Sequence, residues 1–187
     1  MNTYDFDQTV FYPDSSYCFV KYCLRHYPRA VLKALPGSAL AGILVLSKKA
    51  DTKALKEQLF SFLPWIDDVH RVVEEFWDAH RSGLADWYLQ QKRADDVIIS
   101  ASPEFLLGPI CEELGVALIA TKMDPYSGKI NGLNCHDREK VRRFREAFPG
   151  VVPDSFYSDS LADMPMAEFA QKAYWVRDGK PMLWPLP

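Results

Sequence analysis

Acidic residues stand in pairs near the two ends of this chain of 187 residues: Asp5 and Asp7, and then Asp159 and Asp163. If residues 2–6 form a short strand, the first pair points to one side of it, with the two residues roughly 6.5 to 7 Å apart. Two ionised carboxylates raise each other's pKa unless a cation offsets their charge, and an all-oxygen site favours a hard ion such as Mg²⁺. The pairs therefore predict a site for a cation and a phosphate group, although an acidic pair after a strand can also simply cap a turn.

The other candidate residues follow apolar runs that are typical of buried strands. Residues 96–99 lead into Ser100, and residues 155–157 lead into the segment that holds Asp159 and Asp163. In open parallel sheets, ligands bind outside the carboxyl ends of the strands. The pattern therefore predicts an α/β fold in which these polar side chains meet at one edge of the sheet.

Ser100 stands just before a predicted helix. Ser102 is suited to the N-cap of that helix, Pro103 to its first turn and Gly115 to its end. A strand that runs into a helix N-terminus offers backbone N–H groups and a hydroxyl group to an anion. Ser100 is therefore a candidate ligand of a phosphoryl oxygen, and the alternative is an ordinary turn serine.

A basic segment, residues 136–148, has the pattern of a surface helix with an apolar stripe. Lys140 borders this stripe in the first turns, so it could point toward the edge of the sheet where the acids are expected. The alternative is a solvated surface charge, which is the usual position of a lysine. The other cations of the helix are predicted to point to solvent: Arg142, Arg143 and Arg145.

In this order, D-F-D-Q-T-V, I-I-S, a helical lysine and S-D-S-L-A-D resemble the four motifs of the haloacid dehalogenase (HAD) superfamily. Within that superfamily they are similar to the branch that includes phosphoserine phosphatase. The resemblance implies a Rossmann-like parallel sheet with helices on both faces. It assigns residues 1–12 and 93–187 to this α/β core domain.

The resemblance also implies the chemistry. It makes Asp5 the nucleophile that forms an aspartyl-phosphate, and Asp7 the acid that protonates the leaving oxygen and later the base that activates water. An acid two residues after the nucleophile indicates a phosphatase rather than a dehalogenase, because an alkoxide leaving group needs a proton and a halide does not. Carboxylate nucleophiles divide one difficult hydrolysis into two easier steps.

Further roles follow from the same resemblance. It implies phosphate binding by Thr9, Ser100 and Lys140, and Mg²⁺ binding by the Asp5 carboxylate, the Asp7 backbone carbonyl and Asp159. Asp163 is implied to support the metal's water shell or the lysine. Two residues depart from the common motifs, because Gln8 and Ser158 stand where glycine is frequent. Both change the room beside the phosphate and so affect substrate choice more than mechanism.

Residues 13–92 form an insertion with apolar residues at helical spacing in 17–24, 51–63 and 65–89. The resemblance implies that this insertion is an all-helical cap domain that closes over the site. Its segment 30–47 is unusually apolar but too short for the roughly 20 apolar residues of a membrane span. Buried cap helices are the favoured interpretation, and a patch that faces lipid or a partner is the alternative.

Two segments of the core are predicted to form strands or turns, and no site residue is predicted in either of them. Residues 121–132 have the composition of a strand followed by a hairpin or turn, where Lys122 and Lys129 are interpreted as exposed charges. Residues 172–176 predict a final strand, and the proline-rich end after it is expected on the surface.

Composition favours a cytoplasmic enzyme. The formal net charge of -3 offers no general attraction to nucleic acid. Asp5 and Asp7 interrupt the N-terminus where a secretory leader would be apolar, which with the short apolar segment argues against a membrane protein. The cysteines lack a C-x-x-C pair and the histidines lack a ligand pattern, so the sequence favours neither zinc nor disulfides.

The sequence therefore predicts a Mg²⁺-dependent phosphomonoester phosphatase whose substrate is a small phosphorylated metabolite. Two alternatives stay open. The same residues permit phosphotransfer to an acceptor other than water, and the fold can also serve as a catalytically silent binding module. The intact pair Asp5 and Asp7 argues against silence. The substrate and the oligomeric state do not follow from the sequence.

Overall fold

The computed structural model of the protein describes residues 1–34 and 53–184. Their strands are β1 (Asn2–Tyr4), β2 (Val97–Pro103), β3 (Ala117–Thr121), β4 (Ser155–Ser158), β5 (Ala173–Arg177) and β6 (Lys180–Leu183). They form one sheet in the order β3-β2-β1-β4-β5-β6, in which neighbouring strands are parallel except for the antiparallel pair β5 and β6.

Most of the helices belong to the insertion, residues 13–92, which lies between β1 and β2. Strands and helices alternate along the chain only after residue 96. In the insertion are α1 (Ser15–His26), α2 (Pro28–Ala34), α3 (Lys53–Leu59), α4 (Val69–His80) and α5 (Asp86–Gln91). In the core are α6 (Glu104–Leu114), α7 (Arg138–Ala147) and α8 (Met164–Phe169). Short 3₁₀ turns occupy Leu63–Trp65, Arg81–Gly83 and Leu161–Asp163.

Helices cover both faces of the sheet. Along β2, Ile98 packs with α6 on one face, while Val97 and Ile99 pack with Phe144 of α7 on the other. This alternation explains why β2 is a continuous apolar run, since a parallel strand buried on both faces needs apolar side chains on each. The structure therefore confirms the predicted α/β core, a Rossmann-like, mostly parallel sheet with helices on both faces.

The insertion shares its hydrophobic core with one face of the sheet. Phe19 of α1 and Phe76 of α4 belong to the same buried cluster as Tyr4 of β1. Trp77 of α4 is buried and its indole Nε1–H donates to the Leu106 carbonyl at 2.7 Å. The inserted helices are thus anchored to the core on α6, and their division into a separate cap domain over residues 13–92 stays a prediction.

One predicted helical stretch of the insertion is interrupted in the structure, and another segment lies mostly outside the described residues. The stretch 65–89 is divided, because Asp68 caps the start of α4 and a 3₁₀ turn that ends at Gly83 separates α4 from α5. Of the apolar segment 30–47, residues 35–47 lie outside the described residues, so its interpretation as cap helices or as an exposed patch stays open.

Residues 121–132 form the predicted hairpin, and the hairpin packs on the insertion. Met123 and Ile130 are bridged in antiparallel fashion. Glu57 of α3 accepts hydrogen bonds from the Ile130 backbone N–H at 3.0 Å and from the Lys129 ammonium at 3.1 Å. Helix α3 and the hairpin are therefore held together, and Lys129 is exposed as predicted while it pairs with Glu57.

Two local expectations were wrong, and a third was confirmed only in part. Pro103, not Ser102, is the N-cap residue of α6, and it carries no side-chain cap. Arg143 does not point to solvent, because its guanidinium donates to the carbonyls of Ala120 and Leu133, both at 2.6 Å. The C-terminal end forms edge strand β6, which is exposed as expected, but Trp184 after it is buried against Trp175. Arg143 and Trp184 thus each have a partner on another element.

Within residues 1–34 and 53–184, no helix has the length and apolarity that crossing a membrane requires.

Replacement of Gly128 by alanine tests the contact between the hairpin and the insertion. Gly128 has φ +69°, and a Cβ there would stand 2.4 Å from the Phe60 carbonyl oxygen. We expect Gly128→Ala to lower the free energy of unfolding by about 1–2 kcal/mol for the left-handed backbone and by about 1–3 kcal/mol more for the clash. Gly179→Ala is the matched control, because Gly179 has φ +71° with open space beside it. Equal losses in urea denaturation of the two variants would contradict this contact.

Candidate active site

The carboxyl ends of β1, β2 and β4 meet at a cavity of about 740 Å³. Asp5 follows β1 directly, and its backbone N–H donates to the Tyr157 carbonyl of β4 at 2.8 Å. The cavity is lined by six of the seven predicted site residues: Asp5, Asp7, Ser100, Lys140, Asp159 and Asp163. The structure thus brings together side chains that are up to 158 positions apart in the chain.

Thr9, the seventh predicted site residue, is buried and is not among the residues that line the cavity. It is 2% exposed, and its Oγ1 accepts a hydrogen bond from the Asp159 backbone N–H at 3.1 Å. Thr9 thus contacts the loop after β4, and its predicted contact with phosphate stays a prediction. A hydroxyl acceptor of this kind fixes the position of Asp159 relative to the turn after β1.

Lys140 is the buried cation of the site. Its side chain is 2% exposed, and its ammonium donates to Asp5 Oδ1 at 2.7 Å and to Asp163 Oδ2 at 2.8 Å. Burial opposes this charge, but the Asp163 and Asp5 carboxylates outweigh burial and raise the pKa of Lys140 above its usual value. Ser158, one of the departures from the common motif, donates its hydroxyl to Asp163 Oδ2 at 2.7 Å.

Asp7 is held by donors from two sides. Its Oδ1 accepts from the Ser15 backbone N–H at 2.6 Å, and its Oδ2 accepts from the Ser102 hydroxyl at 2.5 Å. Desolvation and the nearby Asp14 carboxylate raise the pKa of Asp7 to about 6, although these hydrogen bonds act in the opposite direction. A carboxyl group with such a pKa can both give and take a proton near neutrality.

Ser100 stands where the pairing of β2 with β3 becomes irregular. The register shifts between Ile99 and Pro103, as at a β-bulge, and such irregularities re-aim side chains. Ser100 is fully buried, its Oγ accepts from the Ser102 backbone N–H at 3.1 Å, and it lines the cavity. The bulge therefore lets a strand residue face the end of the sheet instead of one of its faces.

Gln8 lies between Asp5 and the insertion with φ +59°, in the left-handed region that favours glycine. This backbone conformation accounts for the glycine that is frequent at the corresponding motif position. Gln8 also lines the cavity, so its side chain occupies room that a glycine would leave open.

The acidic groups fit a divalent cation. Burial and repulsion by Asp5 raise the pKa of Asp159 to about 7, and desolvation, partly offset by Lys140, raises the pKa of Asp5 to about 7. A cation between the two carboxylates would relieve both effects. In residues 1–34 and 53–184, no three or more His, Cys, Asp or Glu side chains form a metal-binding group. The expected donors are only two carboxylates and the Asp7 backbone carbonyl, a set that suits Mg²⁺, which keeps several waters.

The sequence did not predict several other residues that line the cavity. Leu55, Lys56 and Leu59 of α3 line it together with Tyr17 of α1 and with His136. Lys56 donates to the Ala101 carbonyl at 2.8 Å, directly after Ser100. The apolar spacing of α3 indicated a buried face but could not show that part of this face borders a cavity.

Comparisons with known proteins identify the class. The family model of haloacid dehalogenase-like hydrolases matches residues 3–168, so this chain belongs to that family and the predicted HAD-like hydrolase is confirmed. Protein CicA of Caulobacter vibrioides is 31% identical over 196 residues, which cover 95% of this chain and 86% of CicA. A Mycobacterium tuberculosis protein described as a probable phosphatase is 38% identical over 82 residues, which cover 40% of this chain and 29% of that protein.

Solved structures agree on the fold. A Bordetella pertussis protein of unknown function superposes with a TM-score of 0.77 at 24% identity, with 92% of this chain and 87% of that chain covered. A probable phosphoserine phosphatase of Vibrio cholerae superposes with a TM-score of 0.63 at 12% identity, with 92% and 55% covered. At such identities the likeness shows the shared α/β fold.

Replacement of Lys140 by methionine tests the buried ion pairs. It leaves Asp5 and Asp163 buried without their cation, so we expect the free energy of unfolding to fall by about 3–5 kcal/mol. Urea denaturation in a buffer with EDTA measures the loss without a metal to replace the ammonium.

Two comparisons control this measurement. In an Asp163→Asn background, the same Lys140 replacement should cost less, because fewer buried charges lose their partner. Lys53→Met removes an exposed lysine of α3 and should cost less than about 1 kcal/mol. An equal loss for Lys140→Met in both backgrounds would show that Asp163 and Lys140 are not coupled.

Proposed function

We propose that this protein is a Mg²⁺-dependent phosphomonoester phosphatase that acts on a small phosphorylated metabolite through an aspartyl-phosphate on Asp5. The observation that carries the proposal is the contact of the buried Lys140 with both Asp5 and Asp163, in a cavity that Asp7 and Ser100 also line. One cation and one hydroxyl group beside a carboxylate match the needs of a transferring phosphoryl group.

In the first half-reaction, an Asp5 carboxylate oxygen attacks phosphorus while the bond from phosphorus to the leaving oxygen breaks. Asp7 gives its proton to that oxygen, so an alcohol leaves. In the second half-reaction, Asp7 takes a proton from a water molecule that attacks the aspartyl-phosphate, and inorganic phosphate leaves with Asp5 restored.

The remaining residues bind and orient. Lys140 and Ser100 hold the equatorial oxygens of the phosphoryl group, and Asp163 keeps Lys140 in place. Thr9 positions the loop that carries Asp159. Mg²⁺, bound by the Asp5 and Asp159 carboxylates and the Asp7 backbone carbonyl, would neutralise charge on the phosphoryl oxygens.

The proposal extends to the insertion and to the cell compartment. The inserted helices α1 and α3 contribute one end of the cavity, which supports a cap that excludes water and selects the leaving group. The chain's four cysteines are free, as is usual for a cytoplasmic protein. The mycobacterial relative described as a probable phosphatase supports the reaction class.

A panel of phosphorylated metabolites tests the proposed activity. With Mg²⁺ present, we expect phosphate release from at least one phosphomonoester, and we expect EDTA to abolish release and added Mg²⁺ to restore it. Product analysis with an added alcohol separates hydrolysis from phosphotransfer, because phosphotransfer yields a new phosphate ester. A folded protein without turnover across the panel would favour the silent binding module instead.

Substitutions of the two N-terminal acids separate their roles. Asp5→Asn should abolish Mg²⁺-dependent turnover, since it removes the nucleophile. Asp7→Asn should lower kcat about 10²- to 10⁴-fold, the usual value of general acid–base help. Asp86→Asn, in the first turn of α5, is the control and should keep wild-type turnover. Full turnover by a folded Asp5→Asn protein would disprove the assigned nucleophile.

A further inference from the structure

A cluster of serine hydroxyl groups surrounds the Asp7 carboxyl group, and no motif of the sequence accounts for it. Ser15, Ser16 and Ser102 are 0%, 8% and 4% exposed. The Ser102 hydroxyl contacts all the other groups of the cluster, at 2.5 Å from Asp7 Oδ2, 2.9 Å from Ser16 Oγ and 3.3 Å from Ser15 Oγ. Serine is mostly an exposed residue, so three buried hydroxyl groups around one carboxyl group need an explanation.

We propose that Ser102 is a positioning residue that holds the Asp7 carboxyl group for proton transfer to the leaving oxygen, with Ser16 as its support. This inference rests on the proposed phosphatase function and adds to it a residue that the motifs do not include. Ser102 acts through Asp7, whereas Ser100 is the serine proposed to contact the phosphoryl group.

The geometry gives Ser102 control of one oxygen of Asp7. The Ser15 backbone N–H holds Oδ1 from the insertion, and the Ser102 hydroxyl holds Oδ2 from the end of β2. Two donors on different oxygens fix the rotation of the carboxyl plane, which one donor leaves free. Misplacement of a reacting group by about 1 Å can cost on the order of 10²-fold in rate, so this restraint affects turnover.

The direction of these hydrogen bonds suits both forms of Asp7. Asp7 is proposed to hold its proton before the first half-reaction and to lack it before the second. Because Ser102 and the Ser15 N–H both donate to the carboxyl group, the proton of the acid form is left free to face the leaving oxygen, and the ionised form accepts the same two bonds. Either oxygen can be the donor between Ser16 and Ser102, so Ser16 can donate to Ser102 while Ser102 donates to Asp7. The buried hydroxyl groups of Ser16 and Ser102 then both have a partner.

Ser102 also contacts Ser100, the residue proposed to bind the phosphoryl group, but through its backbone and not through its hydroxyl group. The Ser102 N–H donates to Ser100 Oγ at 3.1 Å. A side-chain substitution at position 102 keeps this N–H, so it removes the contact with Asp7 and leaves the support of Ser100 in place. The two possible influences of Ser102 are therefore separable by mutation.

Two aryl phosphates of similar size test the proposal in the Mg²⁺-loaded protein: phenyl phosphate and p-nitrophenyl phosphate. Phenolate is the poorer leaving group, so its departure depends more strongly on the proton from Asp7. The measured quantity is kcat/KM, because it reports the first half-reaction and not the later hydrolysis of the aspartyl-phosphate.

For Ser102→Ala we expect kcat/KM to fall about 10- to 100-fold with phenyl phosphate and less than about 3-fold with p-nitrophenyl phosphate. Ser102→Thr keeps the hydroxyl group and should retain the wild-type ratio of the two values. Ser16→Ala should change the ratio in the same direction but by less. Ser61→Ala removes a hydroxyl group of the insertion that donates to the Gln58 carbonyl, outside the cavity lining, and it should leave both values unchanged.

Equal losses with both substrates, or no loss, in a folded Ser102→Ala protein would overturn the proposal, because a purely structural role does not depend on the leaving group. If thermal unfolding shows that Ser102→Ala is not folded, an unchanged ratio in folded Ser16→Ala overturns it. A wild-type protein that hydrolyses neither substrate nor any other phosphomonoester refutes the proposed function itself. That result is distinct, since it appears before any variant is compared.

Discussion

The site depends on one buried ammonium group. Lys140 gives up its hydration to lie between Asp5 and Asp163, and a charge in that environment is tolerated only when every partner is in place. Its partners come from the end of β1 and from the turn after β4, while Lys140 itself stands on α7. Three separate elements must therefore be fixed before the charges balance. The rest of the α/β core provides this rigidity, because its strands are buried by helices on both faces.

The insertion shares a hydrophobic cluster with one face of the sheet. Trp77 of α4 is hydrogen-bonded to α6, and Glu57 of α3 is bonded to the hairpin after β3. The contact of Glu57 holds α3, which lines part of the cavity, against the core. The Ser15 backbone N–H also reaches Asp7, so the start of the insertion helps to place a group of the core. The proposed selection of the leaving group and the proposed orientation of Asp7 thus depend on the same packed helices.

Much of this arrangement was predictable from the sequence, and the successful predictions share a cause. Asp5, Ser100 and Asp159 each follow an apolar run, and a parallel sheet brings the ends of such runs to one edge. The unsuccessful predictions involve partners on other elements of the fold. Ser102 is a residue type that favours N-caps, but its hydroxyl bonds to Asp7, 95 positions away, and Arg143 donates to the carbonyl groups of Ala120 in β3 and of Leu133.

The sequence by itself determined the class of fold, the family and the order of the charged groups, because these follow from local periodicity and from short motifs. Only the tertiary structure decided which oxygens of Asp5, Asp7 and Asp163 have a partner, that Thr9 bonds to the Asp159 backbone, and that α3 borders the cavity. The reason is physical. Local patterns fix which face of an element is buried, but hydrogen bonds form across a few ångströms between elements whose distance and rotation are set by packing of the whole core.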